Sequence, residues 1–121
     1  MRYEQHCASS LEKLGEEFGE VHEWLDYYRG KKLESYDFTI PPPCRHWVMR
    51  HHEEGLVECM EHFSKLYDSN YVTKIIEAAK LHIMDDCKSV IPKKKDYDEY
   101  CYLINPEYLK KVAQASTVWM D

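Results

Sequence analysis

Residues 3–29 read YEQHCASSLEKLGEEFGEVHEWLDYYR, and the folding of this stretch decides the architecture. Cys7, Leu11, Leu14, Phe18, Val21, Leu25 and Tyr28 alternate steps of four and three, an apolar stripe at helical spacing. Gly15 and Gly19 interrupt the stripe, and each is about 1 kcal/mol less favourable than alanine inside a helix. The stripe predicts one long helix, whereas the glycines predict two helices broken near Gly15–Gly19. The choice matters for the histidines. In one continuous helix His6 and His22 would stand about 24 Å apart at 1.5 Å per residue and could not share a site. Arg29-Gly30-Lys31-Lys32 ends the stretch, with glycine at a C-terminal position and cations near the negative helix end.

Beyond it, residues 33–43 (LESYDFTIPPP) read as a stiff connector, because three prolines cannot occupy a helix interior. From Cys44 to about Tyr67 the pattern is helical again, with Met49, Leu56, Met60, Phe63 and Tyr67 on one face and Gly55 as an internal weak point. Asp68-Ser69-Asn70 is a turn and N-cap signal. The helix it opens runs to about Cys87 on a stripe of Val72, Ile75, Ile76, Ala79 and Ile83. Residues 88–100 form a charged loop, and Asn105-Pro106-Glu107 starts a last short helix reaching about Ala115. Period-2 alternation is scarce. The prediction is an all-α fold: a compact bundle of four to five helices forming a single helical domain over residues 1–121.

Composition narrows the function. Sixteen Lys+Arg against 22 Asp+Glu give a net charge of -6, which argues against nucleic-acid binding through a basic face. No stretch approaches the ~20 apolar residues of a membrane span. The opening MRYEQHCASSLEK has no apolar core of a signal peptide. Five cysteines at wide spacing, with no CxxC pair, predict reduced thiols in the cytoplasm rather than a disulfide framework or a zinc ribbon.

Seven histidines are many for 121 residues, and their placement says more than their number. His22 lies between Phe18 and Leu25 on the inner stripe. His82 follows Ile75 by seven and Ala79 by three, and Asp86 lies four further on the same row. In the third helix, steps of three and four from Met49 and Leu56 place Arg45, His46, His52 and Glu53 inward. By the same reckoning His51 points roughly the other way, and His62 is on the surface. Burying such groups costs several kcal/mol unless they are paired or ligated. Four inward histidines on three helices therefore predict a divalent-metal site, with His22, His46, His52, His82 and Asp86 as ligands. Glu53 or Glu54 could orient them or act on a bound water.

Three other readings stay open, the first being a buried Arg–Asp–His network that only specifies the fold. Arg45, Arg50 and His51, with their neighbouring histidines at a helix N-terminus, could bind a small anionic or phosphorylated metabolite or nucleotide. The aromatic segment Tyr97–Tyr102 with Trp119 could serve a protein-interaction module, including a homo-oligomer. No GxSxG, glycine-rich phosphate loop or HD dyad is present, so the sequence makes no case for or against an enzyme, beyond metal-assisted hydrolysis as its natural form.

The segment Arg45-His46-x-x-Met49-Arg50-His51-His52-x-Glu54-Gly55-Leu56 resembles the RHRALRHHxEGI block of a family of small, uncharacterised, histidine-rich proteins of bacteria and phages. His6-Cys7-x-x-Ser10, His22-x-Trp24-x-Asp26 and His82-x-x-x-Asp86 with Ile91-Pro92 resemble that family's HAxxS, IHxWFD and HxxxD…IP, in the same order over about residues 6–92. The resemblance implies a shared fold and histidine cluster, and it imports no activity. Trp47 and Glu53 depart from the pattern, and the family's double glycine before the His22 block is represented by Gly19 alone. That glycine pair favours the break in residues 3–29.

Overall fold

The computed structural model describes residues 1–29, 47–94 and 96. The predicted connector 33–43, Arg45, His46, the Tyr97–Tyr102 segment, the helix from Pro106 and Trp119 lie outside the described residues.

The chain breaks where the glycines predict. Helix α1 runs Tyr3–Leu14, and Gly15 closes it in the left-handed region at φ 87°, its N–H bonded to the Leu11 carbonyl. Phe18 is also left-handed, at φ 55°, and opens α2 (Gly19–Leu25). A left-handed non-glycine residue carries about 1–2 kcal/mol of strain, offset here by burial of the Phe18 ring in the core. The turn resets the helical wheel, so the long stripe does not carry through. Leu11 and Leu14 are exposed, and α1 turns His6, Cys7 and Ser10 inward instead.

The predicted helix from Cys44 to Tyr67 is also two helices among the described residues. α3 (Trp47–Arg50) ends before His51 and His52, and α4 (Glu53–Ser64) begins after them. Gly55 makes this bend possible. A Cβ there would stand 2.6 Å from the Arg50 carbonyl carbon and closer still to its oxygen. Gly55→Ala is therefore expected to destabilise the protein by about 1–3 kcal/mol, the range of core overpacking, read from chemical denaturation. The Pro92 carbonyl accepts from Glu53 N at 2.9 Å, tying the chain after the last helix to the start of α4.

That last helix, α5 (Ser69–Asp86), is capped as predicted, with the Asp68 carboxylate accepting from Tyr71 N at 2.9 Å. It packs on α4, α2 and α1. Ala78 and Ala79 are fully buried and let its neighbours approach closely. Phe18, Val21, Leu25, Cys59, Phe63, Val72, Ile75 and Ile83 form the apolar core. Cys7, Cys59 and Cys87 are free thiols, and burial pushes the Cys59 thiol up to about 12 against the opposing charge of Arg50. The described residues thus make one all-α unit of helices with no strand among them. None of these helices is long and apolar enough to cross a membrane.

Candidate metal centre

Next to the apolar core residues Val21, Ile83 and Cys87 in sequence lie His22, His82 and Asp86, part of a buried polar cluster to which α1, α2, α5 and the gap between α3 and α4 contribute. α1 supplies His6 and Ser10, α2 supplies His22, and Asp26 sits at the C-cap of α2. His51 follows α3, and α5 supplies His82 and Asp86 one turn apart. His6, Ser10, His22, His51 and His82 are at most 1% exposed, and Asp86 is buried.

Two groups of donor atoms meet here, His6–His22–His82 and Asp26–His51–His82–Asp86, and within each all atoms lie within 4.8 Å of one another. The second is tightly spaced. His82 Nε2 is 3.2 Å from Asp26 Oδ1, 3.1 Å from His51 Nε2 and 3.4 Å from Asp86 Oδ2. His51 Nε2 is 3.1 Å from Asp86 Oδ2 and 3.4 Å from Asp26 Oδ1. Four donors on a tetrahedral zinc stand about 3.3 Å apart, given metal–ligand bonds of about 2.0–2.1 Å. Five of the six separations match that edge. The ring directions agree as well. The His51 and His82 centroids are 4.9 Å apart while their Nε2 atoms are 3.1 Å apart. Both rings therefore turn their Nε2 atoms towards the space shared with the two carboxylates.

The remaining atoms support these four. Asp86 Oδ1 faces away from the convergence point, 3.3 Å from His6 Nε2 and 2.7 Å from the α-amino group of Met1. The His6 ring lies flat on His82 with centroids 3.5 Å apart. Trp47 stacks on His51. Ser10 Oγ is 2.8 Å from His22 Nε2, and His22 Nδ1 is 2.9 Å from His82 Nδ1.

Burial pushes His82 down to about 3 and His22 down to about 4, with neighbouring rings adding to the effect, so both are neutral at pH 7. For Asp86, burial acts upward, but hydrogen bonds from His51 and His6 outweigh it and hold the carboxyl well below its ordinary range. Neutral imidazoles beside a carboxylate are the protonation states a metal requires. The two histidine shifts carry a stability consequence. Below pH 6.5 the unfolded chain binds protons that the folded rings refuse. Metal-free protein is thus expected to be fully stable above about pH 6.5 and to lose stability as pH falls towards 4. Each ring contributes on the order of 1 kcal/mol per pH unit, checked by denaturant titrations at pH 7, 6 and 5. Asp86 titrates below that window.

Of the residues expected to ligate, His22, His82 and Asp86 come together in this cluster, and His46 lies outside the described residues. His52 is placed elsewhere. It is the N-cap of α4, its Nδ1 accepting from Gly55 N at 2.9 Å. His51, expected to face away, sits at the convergence point, because helical reckoning through residues 51–52 fails where the helix is interrupted. Arg50, expected to meet an anion, donates to the Trp24 carbonyl at 2.6 Å and lies 3.8 Å over the Trp24 ring. Glu53 and Glu54 are exposed. The sequence reading missed Asp26 and Ser10 as site residues. The spacing of His22 and Asp26, one helical turn apart like His82 and Asp86, was the available signal for Asp26.

No curated protein and no solved structure matches the chain. The four blocks that shape this cluster, from His6 to Pro92, fall within residues 1–105, which match a family model described as "Domain of unknown function (DUF6915)", and the chain belongs to that family.

Proposed function

We propose that this protein is a cytoplasmic divalent-metal protein whose ion is held by Asp26 Oδ1, His51 Nε2, His82 Nε2 and Asp86 Oδ2. The observation that carries the reading is the convergence of four donor atoms from three parts of the fold, the end of α2, the gap between α3 and α4, and α5, with five of six separations between 3.1 and 3.4 Å. Protons on both Nε2 atoms would each find a carboxylate but would face one another across 3.1 Å. One dication satisfies all four donors at once. Two carboxylates also neutralise its charge, which a buried ion requires.

Mixed imidazole and carboxylate donors suit first-row ions such as zinc, iron(II) or manganese, and they disfavour calcium and magnesium, which prefer oxygen alone. Asp26 has the most exposed ligand side chain, at 12%, so solvent reaches the ion from its side. A hydrolytic role would require a metal-bound water there. The anion-binding alternative is less well supported, because Arg50 is committed to Trp24 and His51 to the cluster. The test is metal analysis by inductively coupled plasma mass spectrometry on untagged protein purified without chelator. The expected result is close to one equivalent of a first-row divalent ion. Absence of metal that persists after dialysis against a divalent mixture overturns the reading.

A further inference from the structure

The same cluster offers a second group of donors, His6, His22 and His82, and its geometry differs from that of the first. His22 and His82 have centroids 5.1 Å apart and Nδ1 atoms 2.9 Å apart. Their ring axes point almost straight at each other and would meet only about 1.5 Å beyond each nitrogen, too short for a metal–nitrogen bond of about 2.0 Å. A separation of 2.9 Å is instead the ordinary length of an N–H···N hydrogen bond. His6 is stacked face to face on His82, so its in-plane lone pairs do not converge with those of His82. No carboxylate belongs to this group, so a second dication would lack charge compensation.

From this we infer that the protein binds a single metal ion, and that Ser10 and His22 form its outer shell, a chain that fixes which nitrogen of His82 faces the ion. The inference rests on the metal reading above. A neutral His82 has one lone pair. With Nε2 bound to the ion, the proton is on Nδ1 and is donated to His22 Nδ1. His22 then carries its own proton on Nε2 and donates it to Ser10 Oγ at 2.8 Å. Every nitrogen along the chain has one assigned role. Were His82 protonated on Nε2, its lone pair would turn to His22 and leave the four-donor group one ligand short. His22 and Ser10 are thus positioning residues, and the His6–His22–His82 group holds a proton rather than a second ion.

The test uses full-length protein loaded with ¹¹³Cd²⁺ and labelled with ¹⁵N. Couplings from cadmium to Nε2 of His82 and His51 are expected, with none to His22 or His6. Long-range proton–nitrogen spectra should show His22 as the Nε2–H tautomer. In chelator competition with Zn²⁺, His22→Leu is expected to weaken binding roughly 10–100-fold at unchanged one-to-one stoichiometry, the usual range for outer-shell loss. His22→Gln, whose amide oxygen can accept from His82, should recover most of it. Coupling to His22 or His6, two equivalents per chain, or His22→Leu binding as wild type overturns the inference while leaving the metal reading in place. Wild-type protein that binds no Cd²⁺ or Zn²⁺ overturns both. The wild-type spectra decide the matter even if His22→Leu fails to fold.

Discussion

His82→Ala is expected to abolish stoichiometric metal binding. His82 Nε2 is within 3.1–3.4 Å of all three other donors, and no other described residue belongs to both donor groups. Its loss leaves one imidazole and two carboxylates, and the position it vacates is buried. A fall of more than 100-fold in affinity is the expected scale, since even outer-shell changes cost 10–100-fold. Alanine also opens a cavity, so Asp26→Asn serves as the near-isosteric companion. It keeps the shape of a partly exposed side chain and removes one of the two charges that neutralise the ion. Both variants should lose metal by mass spectrometry while Asp26→Asn retains its helical circular dichroism. His52→Ala should keep its metal and lose only the α4 cap, worth about 1 kcal/mol. Full metal content in His82→Ala, or loss confined to His52→Ala, would falsify the ligand assignment.

Removing the metal from wild-type protein is expected to lower its melting temperature by about 10 °C or more. The proposed ion would join three parts of the fold, the end of α2, the gap between α3 and α4, and α5, and without it Asp26 and Asp86 place two carboxylates in one group with His51 and His82. A ligand held at 100 times its dissociation constant stabilises the native state by about 2.7 kcal/mol. In a domain of this size each kcal/mol moves the melting temperature by several degrees. Calorimetry with chelator, and again after zinc is restored, measures the difference. Asp26→Asn should show no metal-dependent increment at all. A wild-type melting temperature indifferent to chelator, in protein shown to carry metal beforehand, would mean that the centre does not brace the fold.

The helical character of this chain was legible because it depends on local spacing. The stripe of α5, its Asp68 cap and the His82–Asp86 pair all lie within one uninterrupted helix, so residue arithmetic placed both side chains on one row. Gly15 likewise marked a real boundary, because a left-handed turn there suits glycine. Arithmetic failed wherever the chain bends between residues that look helical. Leu11 and Leu14 continue the stripe on paper yet face solvent, since the turn at Phe18 rotates α2 relative to α1. His51 and His52 exchanged their expected places for the same reason. The bend is permitted by Gly55, whose missing Cβ makes room for the Arg50 carbonyl.

By itself, the sequence determined an all-α fold and a concentration of histidines too large to bury unpaired, and it left residues 3–29 between one helix and two. The tertiary structure alone decided which of them converge. Asp26 stands just past a helix end, His51 in a two-residue gap between helices, and Ser10 is buried one turn from Cys7 while the stripe residues Leu11 and Leu14 face solvent. Helical periodicity fixes the direction of a side chain only relative to its own helix axis. A metal centre depends on donor atoms meeting to within a few tenths of an ångström across elements far apart in sequence, and that is set by how the helices pack.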